Sequence, residues 1–456
     1  MWTEFSLHRL PAVLGALLVS LGLPLSVQAM DIQKVVSPQG IEAWLVEDHS
    51  NPVLAMEFAF RGGASTDPEG KEGLAGLTSA LLDEGAGDMD STAFQEALAD
   101  RSIRMSFSAS RDRFSGSLMT LTRHREDAFD YLRMALTEPR FDPQAVKRLK
   151  SQYQVMQARR LEDPQSIAWN GLYRLLFPDH PYGRPTEGTP ASIASIEVAD
   201  MRAFLQEQLA RDRMHIAVTG DITPEELGTL LDETFGDLPK ESPAIEVPSV
   251  QPLSSGGVAV VERDQPQSVV ALAQPGMARD DPDFYSAYIV NYILGGGSFS
   301  SRLYEEIRKE RGLVYSVSTG LNTMDHAAVL AGGLATQNAR VDESLEVLRA
   351  EWERLAEEGP TEEELEHAKS YVTGAFALQL DSSDSIASVL LSIQMDNLGI
   401  DYIDRRREEI AEVGLEDVKR VAGELLQPEA LTFVVVGQPE GVESNLVLPK
   451  RDAAQD

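Results

Sequence analysis

Residues 214–222, Met214-His215-Ile216-Ala217-Val218-Thr219-Gly220-Asp221-Ile222, recur as Leu431-Thr432-Phe433-Val434-Val435-Val436-Gly437-Gln438-Pro439. Each copy is an apolar run of β character closed by a turn glycine. Two further stretches repeat in the same order. Asp163 to Ala168 (Asp-Pro-Gln-Ser-Ile-Ala) lies over Ser382 to Ala387 (Ser-Ser-Asp-Ser-Ile-Ala), and Ala128 to Leu132 lies over Ser344 to Leu348. The offsets are 217, 219 and 216 residues, nearly one value. Three ordered matches at that spacing describe a duplicated domain, because solenoid repeats recur every ~20–50 residues.

Working outward from these runs, each copy reads strand, strand, helix, strands, helices, strand. In the first, strands are expected at 41–46, 53–60, 103–110, 113–121 and 214–219, with helices at 74–83, 125–137, 143–161, 164–177 and 198–210. The second is expected to place strands at 257–262, 268–274, 313–321, 328–336 and 431–436, and helices at 281–294, 300–309, 341–357, 361–379, 384–398 and 415–426. Strands first and long helices in a block predict an α+β class: two homologous domains, each a largely antiparallel sheet with helices packed on one face. The expected boundaries are 30–238 and 257–446, with a tail at 447–456. Between the domains, 239–256 carries Pro243, Pro248, Pro252 and Ser254-Ser255 and reads as a linker.

The first 29 residues form a separate signal. Arg9 precedes a hydrophobic run from Leu10 to Val27, broken by Pro11 and Pro24, and Val27-Gln28-Ala29 is a small-x-small cleavage site. This reads as a secretory signal peptide, residues 1–29. An uncleaved anchor is the competing reading, but the run is short for a span of ~20 residues. Export across a bacterial inner membrane would place the chain in the periplasm.

Composition excludes some chemistries. The sequence contains no cysteine, so thiolate catalysis and cysteine-bound zinc are ruled out. Its net charge of −33, from 73 acidic and 40 basic residues, repels nucleic acid and anionic membranes. Two readings of that charge stay open, a solvated acidic surface and attraction of basic peptides. The seven histidines, His8, His49, His124, His180, His215, His326 and His367, are scattered without the spacing of a metal motif. Asp83-Glu84 reads as the polar end of a short helix.

At Gly73-Leu74-Ala75-Gly76-Leu77-Thr78-Ser79-Ala80-Leu81-Leu82-Asp83-Glu84-Gly85 the chain resembles the pitrilysin/insulinase family of zinc peptidases. There an inverted motif, His-x-x-Glu-His, places two metal ligands and a water-activating Glu on one helical face. The resemblance lays those three positions on Gly76, Ser79 and Ala80, which offer neither zinc ligands nor a base. A third ligand, a Glu on a later helix, falls near Ala158 in Gln157-Ala158-Arg159-Arg160, counted back from Leu176-Phe177-Pro178-Asp179-His180-Pro181-Tyr182-Gly183-Arg184, which also resembles the family. Glu162 is close by, but one carboxylate makes no catalytic zinc site.

The second copy carries a different motif, and that one is intact. Leu294-Gly295-Gly296-Gly297-Ser298-Phe299-Ser300-Ser301-Arg302-Leu303 leads into Tyr304-Glu305-Glu306-Ile307-Arg308-Lys309-Glu310-Arg311-Gly312-Leu313-Val314-Tyr315. It resembles the family's C-terminal substrate segment, in which an Arg/Tyr pair reaches into the zinc-bearing half. A guanidinium and a phenol both donate hydrogen bonds to a carbonyl oxygen that is gaining charge. The resemblance assigns that role to Arg308 and Tyr315, acting in a partner's site, and substrate contact to Gly295, Gly296, Gly297, Ser298, Ser300 and Arg302. Plainer readings compete. The glycines form a tight turn, Arg308 pairs with Glu305 or Glu306, and Tyr315 packs on its sheet. A phosphate cradle is the weakest of the readings, since Gly-Gly-Gly-Ser is not Gly-x-x-x-x-Gly-Lys.

Together the two motifs imply a clamshell of two halves. They imply a non-catalytic, substrate-binding subunit of a heterodimeric zinc metallopeptidase, without a cofactor of its own and with zinc in the partner subunit. The substrate implied is an unfolded peptide added as a strand to a sheet edge. A non-proteolytic structural subunit, like family members in respiratory complexes, and a peptide-binding protein acting alone or as a homodimer are the alternatives.

Overall fold

The repeated apolar run forms an interior strand in each of two sheets. The structure, a computed structural model, describes residues 30–243 and 246–449. The expected signal peptide, 1–29, lies outside those residues, as do 450–456 of the expected tail. The first half contributes strands Gln33–Val36 (β1), Glu42–Glu47 (β2), Val53–Arg61 (β3), the short pair Gly85–Ala86 (β4) and Met89–Asp90 (β5), Arg104–Ala109 (β6), Arg113–Leu121 (β7) and Met214–Gly220 (β8). The second contributes Gly257–Glu262 (β9), Gln267–Pro275 (β10), Val314–Thr323 (β11), Ala328–Gln337 (β12) and Thr432–Gly437 (β13).

The large sheets run β1-β2-β8-β3-β7-β6 and β9-β13-β10-β12-β11. Apart from the added edge strand β1, the two orders are the same. In both, one parallel pair (β2 with β8, β9 with β13) sits in an otherwise antiparallel ladder. The turn glycines match as well. Gly220 and Gly437 have φ of 138° and 153°, and a Cβ there would come within 2.2 Å of the Val53 carbonyl oxygen and 2.3 Å of Ser268 Oγ. No side chain fits at either position.

The helices are Leu74–Ser79 (α1), Ser91–Asp100 (α2), Arg125–Thr137 (α3), Pro143–Arg160 (α4), Pro164–Leu176 (α5), Pro190–Ser195 (α6), Val198–Gln208 (α7) and Pro224–Phe235 (α8) in the first half. The second half has Phe284–Asn291 (α9), Val341–Glu358 (α10), Glu362–Ala377 (α11), Ser383–Met395 (α12), Tyr402–Glu412 (α13) and Leu415–Leu425 (α14). Sheet periodicity decides which side chains meet them. Leu54, Met56, Phe58 and Phe60 of β3 face a core shared with Phe129 of α3 and Phe235 of α8. Val270 and Leu272 of β10 face Leu348 and Trp352 of α10 in the equivalent core.

The opposite face of each sheet is covered by a helix from the other half. Ile167, Ala168, Leu172 and Leu176 of α5 pack on Ala271, Ala273 and Val434 of the second sheet. In exchange, α12 lies on β3 and β8 of the first, where Gln394 Nε2 donates to the Ile216 carbonyl at 2.9 Å. The repeated Asp163/Ser382 stretch proves to be the start of these two exchanged helices. Asp163 and Ser382 are their N-caps, each accepting from the backbone N–H three residues on. A second junction joins the hairpin ends. The Tyr182 hydroxyl donates to Asp112 Oδ1 at 2.8 Å and accepts from the His326 backbone N–H at 3.0 Å. His180 accepts from the Tyr182 N–H at Nδ1 and contacts the Pro248 carbonyl through Nε2 at 2.8 Å, fastening the connecting segment.

One carboxyl in the exchange has an energetic consequence. Burial, reinforced by Asp384 on α12, pushes Glu57 of β3 from its usual 4.5 up to about 7. A carboxyl raised in this way holds its proton more tightly in the fold than in the unfolded chain. Its cost is therefore absent below pH 4.5, grows as pH rises, and is complete above about 7. Glu57→Gln should raise stability at pH 8 and flatten this part of the pH profile. Equal urea midpoints for variant and wild type at pH 8 would contradict the assignment.

Among the described residues, no helix is long and apolar enough to cross a membrane.

Candidate functional site

The first-half motif folds as a helix start around backbone groups. Gly73, at φ 90°, caps α1 where a Cβ would meet the Glu187 carbonyl oxygen at 2.7 Å. The Asp67 carboxylate accepts from the N–H groups of Gly73 at 2.8 Å and Ala75 at 3.0 Å. One turn on, Ser79 Oγ donates to the Gly76 carbonyl at 2.8 Å, and the Tyr153 hydroxyl donates to the same oxygen at 3.0 Å. Gly76 and Ala80 carry no donor atom, and the hydroxyls facing them are engaged with backbone. The residues present do not fit zinc.

Helix α4 presents Ala145, Leu149 and Gln157 inward, with half-buried Tyr153 on the same i, i+4 stripe, while Ala158 and Glu162 are exposed. Glu84 is held by Arg148 and accepts from Ser91 Oγ at 2.6 Å. No three His, Asp or Glu side chains among the described residues are grouped to hold a metal. Tyr153 went unnoticed in the sequence, although its place on the stripe was readable.

The second-half motif is built differently. After α9 the chain widens into a π-helical turn, Tyr292–Gly296, and after the glycine-rich loop into another, Tyr304–Glu310. Such turns are rare and recur at functional sites. Arg308 stands exposed on the second. Its neighbours have partners: Lys309 pairs with Glu305 at 2.5 Å, and Arg311 pairs with Glu306. Arg308 has no carboxylate partner among the described residues, and its guanidinium lies 5.1 Å from the Tyr304 ring centroid. Tyr315 is the extra residue of a β-bulge. Val314 pairs with Thr336 and Ser316 with Ala335, so Tyr315 has no partner across the ladder. A bulge re-aims its side chain, and Tyr315 is 53% exposed on edge strand β11.

The rest of the segment divides between packing and exposure. Gly295 is buried where a Cβ would strike Thr319 Oγ1 at 2.5 Å, and Thr319 in turn donates to Asn291 Oδ1 at 2.9 Å. Gly297 donates to the Tyr292 carbonyl at 2.8 Å and accepts from Ser300 Oγ at 2.9 Å. Gly296, Ser298 and Ser300 face solvent. Arg302 turns inward to a bidentate pair with Glu364, at 2.6 and 2.8 Å, and a third bond to the Gly359 carbonyl. Burial pulls the Glu364 carboxyl up, but Arg302 and the Thr361 donors outweigh it and hold it below its usual value. Those contacts fasten the loop to α11. Arg302→Ala should cost on the order of 2–3 kcal/mol, less than for a fully buried pair, read as a lower urea midpoint; an unchanged midpoint would refute it.

A family model described as the peptidase M16 inactive domain matches residues 195–372. The chain is 25% identical over 391 residues to the "Non-peptidase homolog YmxG" of Helicobacter pylori, covering 86% of this chain and 90% of that one. Its fold superimposes on the crystal structure of a peptidase M16 inactive domain from Pseudomonas fluorescens with a TM-score of 0.84, at 26% identity, covering 91% of this chain and all of the other.

The chain is similar to the pitrilysin/insulinase, or M16, family.

Within it, the chain is also 26% identical over 292 residues to a probable mitochondrial-processing peptidase subunit beta of Schizosaccharomyces pombe, covering 60% of this chain and 63% of that one. The chain is thus similar to proteins named as inactive or non-peptidase members of that family. The zinc-motif frame survives as the start of α1, while the segment bearing Arg308 and Tyr315 is solvent-exposed.

Proposed function

We propose that this chain is the non-catalytic, substrate-binding subunit of a heterodimeric zinc metallopeptidase of the periplasm, presenting Arg308 and Tyr315 to a zinc-bearing homologous partner. The observation that carries the reading is the state of Arg308. In a chain of net charge −33 it is exposed without a carboxylate partner among the described residues, although Glu305 and Glu306 lie close in sequence and each has taken another cation. A guanidinium serving only surface solubility would share those carboxylates. Tyr315, turned out at the bulge, adds a phenolic donor to the same strand–turn unit. Zinc in the partner would supply the Lewis acid and the activated water. This chain's part is to receive an unfolded peptide and donate hydrogen bonds to the carbonyl oxygen that gains charge.

Similarity to a relative named as a subunit supports the two-chain reading. Similarity to a relative named as a non-peptidase homologue favours a second reading, a peptide-binding protein without proteolysis. The test is co-purification of the exported chain with a zinc-bearing relative, followed by peptide cleavage assays on each chain alone and on both together. Cleavage only by the pair supports the proposal. Chelator-sensitive cleavage by this chain alone would sink it, and tight peptide binding with no cleavage in any combination would favour the second reading.

A further inference from the structure

We infer that Tyr304 is a positioning residue for Arg308. The inference rests on the reading of Arg308 given above and adds what aims it. Tyr304 opens the π-wound segment and Arg308 stands four residues on, within one turn of it. The guanidinium carbon lies 5.1 Å from the ring centroid, inside the range where a cation is drawn to a π face. Among the described residues it makes no ion pair, and Glu305 and Glu306 are occupied by Lys309 and Arg311. An exposed arginine otherwise samples many rotamers, and a hydrogen-bond donor acts well only when it is preorganised.

The ring also has an aromatic neighbour. Phe299 meets it edge-on, with centroids 5.1 Å apart and planes at 87°. Phe299 is 73% exposed, so little else explains its orientation. Its predecessor Ser298 takes φ 48°, in the left-handed region. Loop, ring and guanidinium are thus in contact as a series, with Tyr304 in the middle.

The contact and its consequence can be read separately. In the full-length chain with labelled arginine, the ring current of Tyr304 should displace the Arg308 side-chain resonances, identified by their loss in Arg308→Ala. The displacement should persist in Tyr304→Phe, which keeps the ring, and vanish in Tyr304→Leu, which keeps only bulk. Affinity for a fluorescein-labelled random-coil peptide, followed by anisotropy, should fall roughly threefold to tenfold in Tyr304→Leu and stay at wild type in Tyr304→Phe. Tyr304→Leu should add nothing to the loss in Arg308→Ala. Should Tyr304→Leu fold poorly, Phe299→Ala, at an exposed position, is expected to reduce the same displacement. Arg308 resonances unmoved by both variants overturn the inference, as does additive loss in the double variant. Wild-type peptide affinity and wild-type cleavage in Arg308→Ala would instead overturn the functional proposal and leave the contact standing.

Discussion

Replacing Arg308 by alanine is expected to lower kcat of the assembled peptidase by about 10²–10³-fold, the usual effect of deleting one oxyanion donor. KM should rise only by about the threefold to tenfold loss of peptide affinity, because the carbonyl oxygen gains most of its charge in the transition state. Thermal stability should be unchanged, since the side chain is exposed and forms no ion pair among the described residues. That combination separates a catalytic loss from a folding defect. Arg308→Lys should recover only part of the rate, because an ammonium keeps the charge without the planar fork. Tyr315→Phe should act in the same direction with a smaller effect. Full activity in Arg308→Ala would leave the exposed guanidinium without the assigned role.

Leu172→Ala is expected to destabilise the whole chain by about 2–5 kcal/mol. Leu172 is fully buried, and its side chain belongs to the cluster in which α5 of the first half packs on the second sheet. The cavity therefore opens between the halves. Trp169 borders this cluster and Trp352 is buried in the second half's own core, so each reports a different region. The second-half core, which contains no atom of Leu172, should unfold at the same lowered urea concentration as the cross-half cluster. Separate transitions, with circular dichroism of the second half holding to the wild-type midpoint, would show that the exchange does not couple the halves.

Local patterns carried much of this fold. The glycine-terminated runs around Gly220 and Gly437 revealed the duplication, and alternation placed β7, β9 and β12 within a residue of their observed limits. Other elements escaped for identifiable reasons. Helix α8 is announced by Thr223-Pro224 with Glu226 completing a capping box, a signal present in the sequence but not taken up. Helix α13, Tyr-Ile-Asp-Arg-Arg-Arg-Glu-Glu-Ile-Ala-Glu, is so charged that its buried residues, Tyr402, Arg406 and Ile410, form a stripe too thin to notice. The helix expected from Leu74 to Asp83 stops at Ser79 and continues as turns.

The site was legible in part. Motif spacing picked out Arg308 and Tyr315, but their exposure depends on a π turn packed on β11 and α10 and on a bulge in the ladder with β12, neither of which a local pattern announces. The inward turn of Arg302 depends on Glu364, sixty-two residues away in sequence. Nor does an apolar helix face state which sheet it will cover. Ile167, Leu172 and Leu176 mark α5 as amphipathic, and nothing local says that their destination is the other half.

That destination has a consequence for the history of the chain. Each half extends a helix that its own sheet does not use and leaves bare a surface that only such a helix can cover. A half alone is therefore incomplete, and what completes it is a second copy of itself. The present polypeptide has the form of a swapped homodimer joined into one chain, so that the halves can differ in sequence without either losing its cover.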